Sequence, residues 1–289
     1  MKDGFLQKVS PDPSLRDYIW QYTFVDIPFE PARQMEFRVM PSSHTRMILF
    51  MGEPSLFQVK NSLQPVDRCS LTGFVSKPHL FVPTSDLQQI MVHFTAWGIQ
   101  PFVNFPLSEI TDQRADLNHI FKHDMENLYE DLNVSLDLQE KVQTLNHFFK
   151  RQLEKVQLID ERAKSLIQCI LKAQGSMHLE DISKILCIGE RTTQRIVHNT
   201  IGVNFKFFSR LVRSEHVRRL MTQKNVSLTN VALRAGYFDQ AHFIHDFQET
   251  FRENPGEYLK RQQKLIWNKI EANEENHRIS KGHIYFTSE

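Results

Sequence analysis

The stretch that decides the fold of the C-terminal half reads LTNVALRAGYFDQAHFIHDFQETFRENPGEY, residues 228–258. Within it, Phe243, Phe247 and Phe251 recur every four residues, a spacing that places them on one face of a helix. The opposite face carries groups that form hydrogen bonds: His242, His245, Asp246 and Glu249. The stretch therefore predicts an amphipathic helix with a polar face that a partner can contact.

The chain contains this unit twice, because residues 179–208, LEDISKILCIGERTTQRIVHNTIGVNFKFF, align with residues 228–258. With one extra residue in the second copy, the matched pairs are Leu179 and Leu228, Ile182 and Val231, Cys187 and Gly236, Ile188 and Tyr237, Val197 and Phe247, Gly202 and Arg252, Phe205 and Pro255, and Phe208 and Tyr258. Each copy predicts a short helix, a tight turn and a second helix, which is the helix-turn-helix layout. A long helix through residues 204–224 connects the copies, and we expect it to hold their second helices about one duplex turn, ~34 Å, apart.

The second helix of the first copy has a polar face suited to DNA bases. Four side chains fall at positions i, i+3, i+4 and i+7 of this face: Arg191, Gln194, Arg195 and His198. Arginine pairs bidentately with guanine and glutamine with adenine. A solvated polar face is the usual interpretation of an isolated helix, but the place of this helix in a repeated unit favours base contacts.

The second copy presents a more acidic face, which predicts a weaker grip on the DNA backbone. Asp239, His242 and His245 can contact bases, whereas Asp246 and Glu249 would repel phosphates. Gln240 lies in the first turn, where a recognition helix enters the groove. Phosphate contacts are expected instead from the basic side chains of the connecting helix: Arg210, Arg213 and Arg218.

The composition indicates two domains and a basic C-terminal part. The net charge of the 289 residues is +1, yet residues 157–270 hold 18 Lys and Arg against 11 Asp and Glu. This asymmetry favours a phosphate-bearing partner. The three cysteines (Cys69, Cys169 and Cys187) are too widely spaced for a disulfide framework or a zinc site. The first residues lack the apolar run of a signal peptide and no membrane span is apparent, so we expect a cytoplasmic protein.

The predicted fold class is α+β. Residues 1–112 contain short apolar runs separated by turn residues, such as 47–51, 56–59, 79–82 and 89–94, which predict an antiparallel β sandwich or barrel-like domain. Residues 113–156 predict a linker of two helices, over 113–133 and 136–155. Residues 157–265 predict the all-α domain with both helix-turn-helix units. The remainder, 266–289, is a tail with a helical run at 266–276 and no predicted role.

The C-terminal pattern resembles the AraC/XylS family of bacterial transcription regulators over about 100 residues, 160–261. The second copy carries G-Y-x-D-Q-x-H-F-x-x-x-F-x-x-x-F from Gly236 to Phe251, followed by P-x-E-Y from Pro255 to Tyr258. The first copy carries E-R-T-x-Q-R (190–195), I-G-V (201–203) and F-F-S-R-L-V-R (207–213). Two positions depart from the family pattern. Arg252 replaces a turn glycine, so it must adopt a positive φ or the turn must differ, and Phe205 replaces a proline.

The resemblance implies a DNA-binding regulator of promoters that acts with RNA polymerase and needs no cofactor, catalytic residue or metal. The resemblance implies an activator, although the residues leave the sign of regulation open, and a homodimer is one arrangement that the family allows. By position, the resemblance implies base contacts from Arg191, Gln194, Arg195, Gln240, Ala241, His242 and His245. The complete predicted DNA-binding set is Arg191, Thr192, Gln194, Arg195, His198, Asp239, Gln240, Ala241, His242 and His245.

The N-terminal part resembles, more loosely, a sensing domain of the same family, through L-x-x-Y-I-x-x-Y (15–22), the run from Pro41 to Phe50, and V-H-F (92–94). Eleven of the 22 phenylalanines lie in residues 1–110 and either line a pocket for a small apolar or aromatic effector or form the β core. Four polar residues in or beside the strands could face such a pocket: His44, Arg46, His79 and His93. Under the alternative interpretation, this domain binds no small molecule and serves for dimerisation or protein docking. A metal-binding enzymatic barrel would need clustered ligands that the sequence does not show.

Overall fold

Two β-sheets pack face to face in the N-terminal part of the computed structural model, which describes residues 6–33, 37–59, 62–156, 159–223, 225–262 and 284–286. The strands are β1 (Leu6–Val9), β2 (Ile19–Ile27), β3 (Phe37–Val39), β4 (Arg46–Phe50), β5 (Leu56–Val59), β6 (Ser62–Pro65), β7 (Cys69–Thr72), β8 (His79–Val82), β9 (Leu87–Phe94), β10 (Arg114–Asp116) and β11 (Ile284–Phe286). Sheet A has the strand order β1-β2-β9-β4-β7-β10 and sheet B the order β11-β3-β8-β5-β6. All pairings are antiparallel except that of β11 with β3.

Ten helices and one further helical segment occur in the described residues. They are α1 (Phe29–Ala32), α2 (Leu117–Phe121), α3 (His123–Val134), α4 (Leu138–Leu153), α5 (Glu161–Lys172), α6 (Leu179–Ile185), α7 (Glu190–Ile201), α8 (Phe205–Met221), α9 (Leu228–Arg234), α10 (Gln240–Phe251) and the segment 255–262. Short 3-10 turns lie at Pro13–Leu15, Gln100–Phe102 and Leu107–Ile110. The predicted α+β class is therefore confirmed.

The central strands of sheet A are buried on both faces, which explains their continuous apolar runs. Every residue of β4 is buried. Ile48 and Phe50 face the core between the two sheets, whereas Met47 and Leu49 belong to a second core on the outer face. Helices cover that outer face, so alternating side chains of one strand enter two different cores.

The predicted linker begins differently from expectation. A helix was expected from residue 113, but Arg114–Asp116 forms β10 and pairs with β7 at the edge of sheet A. The chain then turns into α2, and Lys122, with φ of +51°, separates α2 from α3. The second predicted linker helix is confirmed as α4. The predicted helical run at 266–276 lies outside the described residues, while 284–286 adds a strand beside β3.

The two repeated units have matching elements. α6 and α9 each contain seven residues, and α7 and α10 each contain 12. Aligned turn residues share the left-handed backbone, with φ of +53° at Cys187 and +75° at Gly236, and of +74° at Gly202 and +57° at Arg252. Arg252 therefore adopts the positive φ that glycine would adopt more easily. The expected repeat and its connecting helix, α8, are both confirmed.

One continuous apolar core joins the outer face of sheet A, the linker helices and the first helix-turn-helix unit. Phe94 of β9 contacts Phe149 of α4, with ring centroids 5.7 Å apart. Phe74, which follows β7, contacts Phe208 of α8 at 6.0 Å. The second unit has a separate core, which one N-terminal residue, Met40, enters. The C-terminal half is thus packed against the β sandwich through both of its repeated units.

Candidate nucleic-acid interface

The second helix of the first unit, α7, turns its predicted base-reading face outward. Arg191, Gln194 and Arg195 are exposed, as is His198 one turn further on, and Thr192 is half-buried. The other side of α7 is anchored by the buried side chains Thr193, Val197, Thr200 and Ile201. The hydroxyl groups of Thr193 and Ser183 of α6 lie 2.9 Å apart, which fixes α7 against the first helix of the unit. The polar face is held rigidly in an exposed position.

The corresponding helix of the second unit, α10, is anchored by aromatic side chains. Phe243, Phe247 and Phe251 are all buried, and the last two stack with centroids 4.3 Å apart. The first turn is fixed by Asp239, whose carboxylate accepts a hydrogen bond of 2.7 Å from the backbone N–H of His242. The predicted base-reading residues of this unit are all exposed: Asp239, Gln240, Ala241, His242 and His245.

The two acidic side chains that were expected to repel phosphates each have a partner. The hydroxyl of Tyr237 donates a 2.5 Å hydrogen bond to Asp246. Burial, together with the charge of Asp246, raises the pKa of Tyr237, so the phenol keeps its proton. Glu249 forms an ion pair with Arg210 of α8 at 3.2 Å. The ion pair offsets the charge of Glu249 and so weakens its repulsion of phosphates, whereas the neutral phenol holds Asp246 in place without offsetting its charge.

A concave cleft of about 1250 Å³ brings the two units together. Its lining includes Arg191, Gln194, Arg195 and His198 of α7, Arg210 and Arg213 of α8, and His242 and Asp246 of α10. Five Lys or Arg and one Asp line it, so the cleft is a concentrated positive surface although the chain is nearly neutral.

The predicted phosphate contacts on α8 differ in their surroundings. Arg210 and Arg213 line the cleft and are half-buried. The guanidinium of Arg213 donates a 2.7 Å hydrogen bond to the carbonyl oxygen of Gly175 and lies 5.5 Å from the ring centroid of Tyr237. The prediction for Arg218 is wrong, because this residue is only 3% exposed and its charge acts on Arg46 of the N-terminal domain. Helical spacing places Arg218 on a side of α8 that the β sandwich covers.

The interdomain contact that buries Arg218 is centred on Glu215, one turn earlier on α8. Its carboxylate accepts hydrogen bonds from the backbone N–H of Ser43 at 2.8 Å and from the Ser43 hydroxyl at 2.7 Å, and it lies 3.4 Å from Nδ1 of His44. Burial alone would raise the pKa of Glu215, but the nearby His44 and Arg218 charges and these hydrogen bonds lower it to about 2. The carboxylate is therefore ionised inside the contact.

The sequence pattern did not identify two residues of this surface. Phe238 is 94% exposed in the turn directly before Asp239, beside the first turn of α10. Lys206, at the start of α8, lines the cleft with the arginines. The apolar pattern of the sequence does not distinguish an exposed phenylalanine such as Phe238 from one that is buried in the core.

The described residues contain no group of three or more His, Cys, Asp or Glu placed to hold a metal ion. Histidine and acidic residues at the start of α3 form ion pairs with nearby side chains. His123 pairs with Glu126 at 3.0 Å, and Asp124 pairs with Arg151 and Lys155 of the helical linker. Within the same part of the chain, every helix is too short or too polar to traverse a lipid bilayer.

Comparison with known proteins decides the type of the C-terminal domain. Residues 182–261, which contain both repeated units, match the family model described as a helix-turn-helix domain. The C-terminal domain is an AraC-type helix-turn-helix domain. Residues 7–116 match a second family model, a domain of unknown function (DUF6597), which covers the β sandwich through β10.

Two HTH-type transcriptional regulators match part of the chain. The chain is 28% identical over 104 residues to an uncharacterized HTH-type transcriptional regulator of Haemophilus influenzae, covering 36% of this chain and 35% of the relative. It is 28% identical over 80 residues to the HTH-type transcriptional regulator GlxA of Rhizobium meliloti, covering 28% of this chain and 25% of the relative. The chain thus spans about a third of the first relative and a quarter of the second.

Solved structures give a weaker likeness. ToxT from Vibrio cholerae aligns with a TM-score of 0.45 and 14% identity over 88% of this chain and 96% of ToxT. The C-terminal domain of AraT, a response regulator from Geobacillus stearothermophilus, aligns with a TM-score of 0.34 and 21% identity over 36% of this chain and 88% of that domain. Both scores are below 0.5, so no inference about this chain rests on them.

Proposed function

We propose that the protein is a sequence-specific transcription regulator that binds promoter DNA through its AraC-type domain and responds to a small effector through its N-terminal domain. The observation that carries the proposal is the cleft, in which the exposed polar face of α7, the basic side chains of α8 and the first turns of α10 meet on one surface. A helix with exposed Arg and Gln beside fixed basic groups suits base edges flanked by phosphates.

In this proposal the residues of the surface divide into two roles. Base contacts come from the predicted set on α7 and α10: Arg191, Thr192, Gln194, Arg195, His198, Asp239, Gln240, Ala241, His242 and His245. Phosphate contacts come from Arg210 and Arg213, to which we add Lys206 because it lines the same cleft. Phe238 extends the surface as an apolar contact to a thymine methyl group or a deoxyribose.

In this proposal each of three parts of the chain has its own role. Residues 1–116 receive the signal, residues 117–156 connect, and residues 157–265 bind DNA. Signal transfer is a population shift, because an effector that favours one arrangement of the sandwich against α8 alters how the two units face DNA. RNA polymerase and a second copy of the chain are further partners of this proposal.

A second candidate function keeps the DNA binding and assigns the N-terminal domain to dimerisation or protein docking. The aromatic interior of the sandwich favours it. Phe37 and Phe50 both pack against Phe81, at centroid distances of 5.9 Å and 6.1 Å, and all three are buried. These phenylalanines fill core space, as the alternative interpretation of the sequence expects.

Fluorescence anisotropy tests the common part of both candidates. The full-length protein is titrated into labelled DNA from upstream of its own gene and into a panel of genomic fragments, at several salt concentrations. We expect one or more fragments to bind with an affinity that falls steeply as salt rises, because bound counterions are released from phosphates. Absence of binding to every fragment, or binding insensitive to salt, contradicts the proposal.

A further inference from the structure

The second helices of the two repeated units differ in the kind of positive charge that they can carry. The alignment of the two copies matches Arg195 of α7 with His245 of α10, and Arg191 with Ala241. Helix α10, which the structure describes in full, contains no Lys or Arg. Its histidines, His242 and His245, are therefore its only side chains that can become positive. The first unit has permanent charges on this helix, whereas the second unit depends on protonation.

Both histidines of α10 lie on the surface that we propose to contact DNA. His242 lines the cleft, and its ring packs edge-on against the ring of Tyr237 with centroids 5.2 Å apart. His245, three residues later, is exposed. Among the described residues, neither imidazole donates or accepts a hydrogen bond. The ring nitrogens of both side chains are therefore available to a partner of the protein.

The acids of α10 are spaced so that they favour protonated histidines. Asp246 follows His242 by four residues, and Glu249 follows His245 by four, a spacing at which side chains of one helix are neighbours. An arginine of α8 offsets the charge of Glu249, but Asp246 accepts only a neutral hydrogen bond, from Tyr237, and keeps its charge in the cleft. A proton on either histidine would offset the charge of Asp246 and with it the repulsion of phosphates.

The groups that face α10 from other elements are mainly positive. The charged and titratable side chains that line the cleft from outside α10 are His178, Arg191, Arg195, His198, Lys206, Arg210 and Arg213. Tyr237 and Asp239 directly precede α10, and Asp239 is held by the backbone N–H of His242. In the free protein the arginines disfavour a further positive charge nearby. DNA phosphates bound at the same arginines would offset their charge and so permit protonation of the histidines.

We propose that DNA binding by the second unit is coupled to the uptake of protons by His242 and His245. A protonated imidazole donates hydrogen bonds from both ring nitrogens, to a guanine edge or to a phosphate, whereas a neutral one donates from only one. DNA therefore binds the protonated form more tightly. By linkage, the affinity is highest at low pH and falls as the pH rises through the range in which histidine loses its proton. The coupling rests on the proposed function and makes one of its two DNA-binding units dependent on pH.

The histidine of the first unit has the opposite surroundings. His198 follows Arg195 by three residues and Arg191 by seven, on the same face of α7, and no acid of α7 lies within one turn of it. Two permanent positive charges on its own face disfavour a proton on His198. They also supply the positive charge of α7 at every pH near neutrality. His198 is therefore an internal reference for the histidines of α10.

Fluorescence anisotropy of the full-length protein on its preferred DNA site, at stepped pH and constant ionic strength, tests the coupling. We expect the wild-type affinity to fall about tenfold between roughly pH 6 and pH 8, because each coupled proton contributes at most about tenfold per pH unit. Replacing both histidines, His242→Gln with His245→Gln, should remove most of this dependence. His245→Arg gives α10 the permanent charge of α7, so it should raise the affinity at the upper pH and flatten the profile.

Two further histidine variants are matched controls for the pH profile. His147→Gln changes an exposed histidine of α4 that lies outside the cleft, and it should leave both the affinity and the profile unchanged. His198→Gln changes a predicted DNA contact of the first unit, and it should keep the wild-type slope of affinity against pH whatever its affinity is. The two controls separate protonation on α10 from protonation elsewhere.

A wild-type affinity that does not change over this pH range overturns the proposal. An unchanged slope in the double glutamine variant overturns it as well, and so does a slope that disappears with His198→Gln. If the double variant fails to fold, His245→Arg decides, because an unaltered profile of that variant also contradicts the coupling. Absence of DNA binding at every pH refutes the proposed function itself, whereas DNA binding with a pH-independent affinity refutes only the proton coupling.

Discussion

At the scale of single residues, two glycines of the first helix-turn-helix unit have different physical roles. Gly202 ends α7 with φ of +74°, and a Cβ atom there would lie 2.4 Å from the backbone N of Leu107. Gly189 precedes α7, and a Cβ atom there would have no neighbour within 4 Å. The close approach at Gly202 is where the reading unit meets the N-terminal domain, so this glycine sets the distance between them.

We expect Gly202→Ala to lower the free energy of unfolding by about 2–5 kcal/mol, from the positive φ and the backbone clash together. Gly189→Ala is the matched control and should cost less than about 1 kcal/mol, since only a cap preference changes. Urea unfolding followed by circular dichroism measures both. Equal effects of the two substitutions would contradict the close packing of Gly202 against the backbone of Leu107.

Arg195 is exposed on α7. We expect Arg195→Ala to leave the melting temperature unchanged and to weaken binding to the preferred DNA site by about 1–3 kcal/mol. Discrimination should be relaxed at one base pair, measured by anisotropy on single-base variants of the site. Arg162→Ala, exposed on α5 and outside the cleft, is the control. An equal loss on all DNA sequences would contradict direct base contact by Arg195.

The sequence predicted the exposure of the residues on α7 correctly but not that of Arg218, and the difference has a physical reason. Helical spacing identified the exposed face of α7, because which residues share a face depends only on the period of the helix. The same spacing failed for Arg218, because its burial depends on a loop more than 170 residues earlier in the chain that docks on α8.

At the scale of elements, α8 serves two surfaces at once. One side supplies Arg210 and Arg213 to the cleft, and the other places Glu215 against Ser43 and His44. Its connecting role was predictable from its length and position, whereas the docking side was not. Any shift of the N-terminal loop 42–44 is therefore transmitted along a helix that both units contact.

Glu215 makes this docking dependent on pH. Its carboxyl has a pKa of about 2 in the folded protein against an ordinary value of 4.5, so its stabilisation is complete above about pH 4.5 and is lost as the pH falls towards 2. The shift corresponds to about 3 kcal/mol. We expect the wild type to lose this amount relative to Glu215→Gln over that range, in urea unfolding at stepped pH. Parallel pH profiles for the two proteins would contradict the buried ionised carboxylate.

At the scale of the whole molecule, the sandwich, the linker helices and the first unit share one apolar core. The chain should therefore unfold as a coupled structure rather than as independent domains. This coupling was not predictable, because the sequence shows that two halves exist but not which of their faces meet. The second unit, with its separate core, is the part best placed to move relative to the rest.

We expect Phe208→Ala to lower the free energy of unfolding by about 3–5 kcal/mol and to destabilise the N-terminal domain together with the first unit, because Phe208 is fully buried against Phe74. Phe238→Ala is the matched control. It should change stability by less than about 0.5 kcal/mol, since its side chain is 94% exposed. Calorimetry that shows the N-terminal transition unmoved by Phe208→Ala would contradict the shared core.

We propose that the two helix-turn-helix units of one chain read two successive major-groove segments on the same side of DNA. The most direct measurement is a hydroxyl-radical footprint on the preferred site, followed by the affinity of a site with five base pairs inserted between the protected segments. The insertion rotates one segment by about half a turn. We predict two protected segments about one helical turn apart and a fall in affinity towards the non-specific level after the insertion. A single protected segment, or an affinity unchanged by the insertion, would contradict this arrangement of the two units on DNA.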